Sequence, residues 1–238
     1  MAMLRTRGTR WTTLMSAAVL ASLATAGTAL GSTHYVILSA VHTTHNAEAC
    51  FNVTGADSGA VMFTVFPAGG AAPIQDAVPL NANFFASSAS ASVPGIQNLF
   101  AGSEGETVLT RVDYPQGGAT VVLEQASNQG YVALGIPSVD KAQGATFIVP
   151  IGDLHRGTTV LIGNPMGSDN AVILRYGQGF EEAPRAILAH SAIAVEVTQA
   201  NTQLKIKATD TSLPIIVQLE IEETNKTTVA FVWPQTAL

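Results

Sequence analysis

The chain has 238 residues, 47% of them hydrophobic and 12% charged, with 11 Lys and Arg against 17 Asp and Glu and a formal net charge of −6. An acidic, lysine-poor chain is a poor partner for nucleic acid or an anionic membrane surface. A single cysteine, Cys50, excludes an internal disulfide framework, and the length suits one large or two small domains with a real core.

In chain order, an address comes first. Arg5, Arg7 and Arg10 precede the apolar run Leu14–Leu23, and Ala24-Thr25-Ala26 is a small-x-small cleavage site, with Gly27-Thr28-Ala29 a second option. Residues 1–26 therefore read as a general secretory signal peptide. The arginines are not adjacent and no cysteine follows the run, so neither a twin-arginine signal nor a lipid anchor is indicated. The run is about half the ~20 residues that a membrane span needs, and no second candidate follows. Removing the leader takes three arginines and no acid, which leaves eight cations against 17 acids, a net of −9. The expected location is extracellular or at the cell surface, with the periplasm as the alternative. For Cys50, a small buried hydrophobe is the plainer reading, and an intermolecular disulfide or a reactive thiol the alternatives.

Beyond the leader almost nothing has a helical period. Short apolar runs rich in β-branched and aromatic residues, bounded by Gly, Pro and Asn, predict strands over Tyr35–Val41, Ala49–Val53, Ala60–Phe66, Val78–Phe85 and Ala86–Val93. The last of these is a Ser/Ala alternation for which a low-complexity linker is the competing reading. Ile96–Ala101 suggests a helical turn. Thr107–Val112 and Thr120–Gln125, separated by Asp113–Gly118, read as a hairpin, and Tyr131–Ile136 closes the first half at Pro137. Gly144–Pro165 contributes two strands, Ala145–Ile151 and Thr158–Ile162, around a Gly-Asp-Leu-His-Arg-Gly turn. Ala171–Tyr176, Ala186–His190, Ala192–Thr198, Gln203–Ala208, Pro214–Glu220 and Thr227–Trp233 follow. Strands at roughly 8–12-residue intervals predict an all-β sandwich.

The halves share an order of landmarks. Asn52 and Ala60-Val61 match Asn164 and Ala171-Val172. Leu109–Val112 matches Leu204–Lys207, Val121–Glu124 matches Val217–Glu220, and Tyr131–Pro137 matches Thr228–Pro234. This predicts a duplication, with one sandwich over residues 33–143 and another over 144–238, as two tandem domains or one elongated double sandwich. Ala60–Phe66 and Thr227–Trp233 carry no charge, so either would be open to strand addition if it lay at a sheet edge.

Phe147-Ile148-Val149-Pro150, then Thr158–Pro165, then Ala171–Tyr176 and Gly177 form a pattern: an apolar strand ending in Pro, a Thr-Thr-apolar run ending in Asn-Pro, a polar loop, and an apolar strand ending in Gly. It resembles secreted immunoglobulin-like β-sandwich repeats of bacteria. The likeness covers the second half well. In the first half it is looser, because Thr54-Gly55 stands where the Asn164-Pro165 pattern predicts a Pro nearby. What it implies is fold and location. Asn164 has a structural reason to be there, since Asn bonds its own backbone and the following Pro stops the strand.

Candidate chemistry is sparse. His42, His45, Glu48 and Cys50 are metal-ligand types, but on a strand residues i and i+3 point to opposite faces, and no second cluster completes a zinc or copper spacing. His34 reads as part of the terminus. Asp153, His155 and Arg156 form a turn, and Gly102-Ser103-Glu104-Gly105 is one residue short of a nucleophile elbow. The carboxylates Glu104/Glu106, Glu181/Glu182 and Glu220/Glu222/Glu223 are close in sequence, unlike a glycosidase pair facing across a cleft. Gly177-Gln178-Gly179 lacks what a nucleotide loop needs. Asn52 and Asn225 open N-glycosylation sequons. Tyr114, Tyr131, Tyr176 and Trp233 are scattered and Phe63, Phe66, Phe84 and Phe85 follow strand patterns, so core is favoured over a sugar platform. No catalytic residue, metal site or cofactor is expected. The expected role is a non-enzymatic structural, adhesive or assembly module that meets other protein chains, with a carbohydrate- or ligand-binding module next and a secreted hydrolase last.

Overall fold

The structure is a computed structural model, and it describes residues 31–39, 49–55, 60–79, 85–87, 106–114, 119–127, 130–150, 158–197, 199, 202–223 and 226–235. The first half supplies β1 (Ser32–Leu38), β2 (Ala49–Gly55), β3 (Ala60–Phe66), β4 (Ile74–Pro79), β5 (Phe85–Ser87), β6 (Val108–Tyr114), β7 (Ala119–Ser127) and β8 (Gly130–Ile136). A four-residue helix α1 (Val139–Ala142) leads to β9 (Thr146–Val149), β10 (Thr158–Asn164), β11 (Asn170–Tyr176), β12 (Phe180–Glu181), β13 (Arg185–Ile187), β14 (Ser191–Glu196), β15 (Leu204–Ala208), β16 (Ile216–Glu223) and β17 (Lys226–Val232). All pairings are antiparallel.

Four sheets result: I (β5-β2-β7-β8), II (β1-β6-β3-β4), III (β14-β10-β16-β17) and IV (β12-β11-β15-β9, with β13 also on β11). Sheets I and II enclose one core around Val36, Val53, Phe63, Val65, Val112, Tyr114, Val121 and Ile136. Sheets III and IV enclose a second around Phe147, Val160, Ile162, Leu174, Tyr176, Ile206 and Val217. A third apolar layer joins the sandwiches: Tyr35, Ile37, Phe66 and Leu109 from sheet II meet Leu161, Ala192 and Ile216 from sheet III, with Ala142 beside them. The sheets stack in the order I, II, III and IV, and beside β1 the strand β8 of sheet I also meets β17 of sheet III, whose Val229 and Phe231 pack against the first core.

This stacking explains two kinds of strand sequence. In β11 and β15 buried residues alternate with others, and exposed Arg175, Lys205 and Lys207 mark the solvent face of sheet IV. In β1 and β10 five consecutive residues are buried, because their sheets are covered on both sides. A Cβ on Gly163 would stand 3.0 Å from Leu109 Cδ1 of sheet II and 2.9 Å from Ile216 Cγ1 on the neighbouring strand β16, so β10 has no room for a side chain there.

Two expected pairings differ from the structure. Thr107–Val112 and Thr120–Gln125 are not a hairpin, since β6 pairs with β1 and β3 whereas β7 pairs with β2 and β8. Likewise β9 and β10 go to different sheets. A short connection can arch across the ~10 Å between packed sheets as readily as it can turn back within one, and the flanking alternation is the same in both cases. Val78–Phe85 divides between β4 and β5, and β4 begins at Ile74, ahead of the expected strand. Ile96–Ala101 and most of Ala86–Val93 lie outside the described residues.

The order β1-β6-β3-β4 and β5-β2-β7-β8 recurs as β9-β15-β11-β13 and β14-β10-β16-β17. The correspondence extends to single bridges just past each last strand, His34 to Ser138 and Phe147 to Pro234. It also shifts part of the alignment. Val121 pairs with Ile136 and Val217 with Val232, so Ile136 answers to Val232 and the two Pro stops are offset by one residue. His34 faces Val112 and Phe147 faces Ile206, which sets Arg111 against Lys205 rather than against Ile206. A slip of one residue exchanges the faces of a strand: Leu109 belongs to the layer between the sandwiches and Leu204 to the core of the second.

Candidate functional site

The most built part of the molecule outside its cores is the free edge of β1, which pairs only with β6. Near its start the bridge to Ser138 covers it. Further along, Gln218 reaches across from the middle of sheet III. The Ile37 N–H donates to Gln218 Oε1 at 2.5 Å, and Gln218 Nε2 lies 3.5 Å from the Ile37 carbonyl, at the outer limit of a hydrogen bond. Gln218 has 0% exposure, so its amide stands in for a neighbouring strand where water cannot reach. Beyond it the Ser39 hydroxyl donates to Glu220.

His34 is only 2% exposed, against the expectation of a terminus. Its Nδ1 is 2.9 Å from the Ile136 carbonyl and its Nε2 3.1 Å from Ser32 Oγ, so Nδ1 carries the proton and donates while Nε2 accepts from the hydroxyl. Burial pushes its pKa down, partly opposed by the Ile136 and Pro137 carbonyls and by Asp113 and Asp140. Alongside, Arg111 Nε lies 2.7 Å from Asp113 Oδ2, and Thr33 Oγ1 donates to Asp113 Oδ1 at 2.7 Å. Burial works against the Arg111 charge, but Asp113 and Tyr35 outweigh it and its pKa is raised. Desolvation raises that of Tyr35.

A cleft of about 640 Å³ opens beside this edge, where β8 and β17 flank β1. Val121, Leu134, Ile136, Val229 and Phe231 make its apolar wall, and Ser32, His34, Ser138 and Lys141 its polar part. Trp233 lies at this cleft and is 57% exposed. An apolar recess with a few polar groups and an exposed indole offers a surface on which a small ligand or a sugar ring can pack.

The structure accounts for the sequence candidates as follows. His42, His45, Glu48, Glu104, Asp153, His155, Arg156 and Asn225 lie outside the described residues, as does Phe84. Cys50 and Asn52 are on β2. Among the described residues no three His, Cys, Asp or Glu come together as a metal site. Glu182 is ion-paired with Arg185 at 2.6 Å, and Glu181 is exposed on β12. Tyr114, Tyr176, Phe63 and Phe66 are buried, as expected for core, whereas Trp233 is not. Asn164 is fully buried, and its Nδ2 donates to the carbonyls of Ser168, Ile187 and Leu188 while Oδ1 accepts from Met166 N–H. Asn170 does the same for Asp210, Leu213 and Ala171. Gln218 and Asn170 escaped the sequence reading. An isolated amide inside the apolar run Ile215–Leu219 was the available signal for Gln218.

Comparison with known proteins gives no match: no family model, curated protein or solved structure is similar to this chain.

Proposed function

We propose that the protein is a non-enzymatic, exported structural module, a duplicated immunoglobulin-like double sandwich that works by adhesion or assembly with other protein chains. The observation that carries the reading is the third apolar layer. It fuses two sandwiches of the same strand order into one four-sheet body, which gives a large, stiff surface. The immunoglobulin comparison rests on the inner strands. Taking β2, β3, β5 and β6 as B, C, E and F, the B–E and C–F pairings are kept, whereas β1 and β7 exchange the places of the outer strands G and A. The leader reading of residues 1–26 supports location outside the cytoplasm. Of the two strands named above for strand addition, β3 is central, and β17 pairs only with β16 but has β8 of sheet I beside it.

The test is expression of the full chain in a bacterial host. The expected product starts near residue 27, is found outside the cytoplasm, and sediments with the cell envelope or with itself. An unprocessed cytoplasmic chain refutes the reading. The cleft favours one second reading, a glycan- or ligand-binding module. Quenching or a blue shift of Trp233 fluorescence on titration with soluble glycans, lost in Trp233→Ala, would establish that one instead.

A further inference from the structure

The single bridge past the last strand of each sandwich is built twice, and the two versions differ in chemistry. In the second sandwich it joins Phe147 to Pro234, and Phe147 belongs to the core. In the first it joins His34 to Ser138, and both of these line the cleft between β8 and β17. One copy makes the bridge with two apolar residues, so the bridge itself does not require the polar pair of the other. A buried imidazole at such a place is a burden on folding unless its partners satisfy it.

The hydrogen bonds on the cleft leave one strong donor free. Ser32 gives its hydroxyl proton to His34 Nε2, and His34 Nδ1 gives its own to the Ile136 carbonyl. The Ser138 hydroxyl bonds the Asp140 carboxylate. Among the described residues that line the cleft, Lys141 is the one charge, and none is Asp, Glu, Asn, Gln or Arg. Two acids lie close by, neither of them on the lining: Asp113 is held by Arg111 at 2.7 Å, and Asp140 is exposed and offsets part of the Lys141 field. Lys141 is itself exposed and takes part in neither of the ion pairs Arg111–Asp113 and Arg185–Glu182. A sugar ring carries hydroxyls around its edge, and each one buried without a partner is costly. This lining could pair few of them. An alkyl chain needs only apolar area, and a single ammonium suits a single anionic head.

We propose that the cleft binds a small amphiphilic carboxylate, with its hydrocarbon chain on the wall of Val121, Leu134, Ile136, Val229 and Phe231 and its head at Lys141. This rests on the second reading above, that the cleft is a ligand site, and names the class of ligand. The volume of about 640 Å³ lies within the ~300–1,000 Å³ of pockets that take small molecules. Exposed Trp233 gives the chain a further apolar surface. The chain supplies most of the affinity, and the ion pair, being open to water, supplies selectivity for the head.

Indole fluorescence tests it. Trp11 lies in the leader, so Trp233 is the one tryptophan of the exported chain and its emission reports on the cleft alone. Decanoate, 1-decanol and maltotriose are titrated separately. Decanoate should move the emission to the blue and saturate. Lys141→Met should weaken decanoate about two- to fivefold, the range that an exposed ion pair supplies, and leave 1-decanol unchanged. Circular dichroism and melting of the variant confirm folding. Decanoate that leaves the emission unmoved, or that binds the variant as tightly as the parent, overturns the proposal. If maltotriose moves the emission and decanoate does not, the cleft remains a ligand site and only the amphiphile fails. If none of the three moves it, the ligand-binding reading fails as well.

Discussion

Gln218→Leu isolates the contribution of one amide to the joint between the sandwiches. Leucine matches glutamine closely in volume and suits a site with no exposure, so packing of the layer is kept. What is lost is the partner of the Ile37 N–H, bonded at 2.5 Å, and a marginal contact to its carbonyl at 3.5 Å. A buried polar group left unmade costs about 1–3 kcal/mol. Counting the amide in full and the carbonyl in part, and allowing for the gain from an apolar side chain, gives a net loss of about 2 kcal/mol. For a chain of this size about 1 kcal/mol shifts the melting temperature by ~2–4 °C, so the expected fall is about 4–8 °C in scanning calorimetry. Because the bond lies between sandwiches, the transition should also broaden or split. Gln218→Glu is the sharper variant. A protonated Glu can donate and accept like Gln, whereas a buried carboxylate cannot donate and has its pKa raised by desolvation. Its contribution is present below the unfolded carboxyl pKa of about 4.3 and is lost as pH rises through the folded value. A Gln218→Leu protein within about 0.5 kcal/mol of the parent, the range of an ordinary surface change, would refute the assignment.

Three further outcomes follow from the same geometry. His34 has a lowered folded pKa, so its contribution is full above the unfolded value of about 6.5 and is lost as pH falls below it. His34→Phe, which copies Phe147 at the equivalent place, should flatten the fall in melting temperature between pH 7.5 and 5 relative to the parent. Gly163→Ala should cost about 1–3 kcal/mol in urea unfolding through overpacking, and Leu109→Ala in the same chain should give back part of it; simple additivity of the two would argue against the close approach. Asn164→Ala removes donors to three carbonyls and an acceptor for one N–H, and should cost about 3 kcal/mol with faster amide exchange at Met166; a neutral result would show that water replaces the side chain.

Alternation and punctuation in the sequence determine that this is a β protein, and most strands lie where period-2 runs end at Gly, Pro or Asn. These signals are local: Ala171–Tyr176 reads as a strand because three to seven residues of φ/ψ preference and facing suffice to specify one. The common order of landmarks in the two halves is also legible, because the same strands recur in the same sequence. Which strands pair is decided only in the folded chain. The connections from β6 to β7 and from β9 to β10 look like turns, and only the hydrogen-bond partners supplied by β1, β3, β14 and β16 send their arms to separate sheets. Register escapes the sequence for a related reason. Leu109 and Leu204 are alike to a reader of the chain, and a one-residue offset places one between the sandwiches and the other inside one. The burial of His34, the capping of Ile37 by Gln218, and the cleft at Trp233 all depend on residues about 100 to 200 positions apart, brought together by the packing of sheet II against sheet I on one side and sheet III on the other. No local pattern encodes such a contact, because the driving force, removal of apolar surface from water, has no direction and is satisfied by any complementary face.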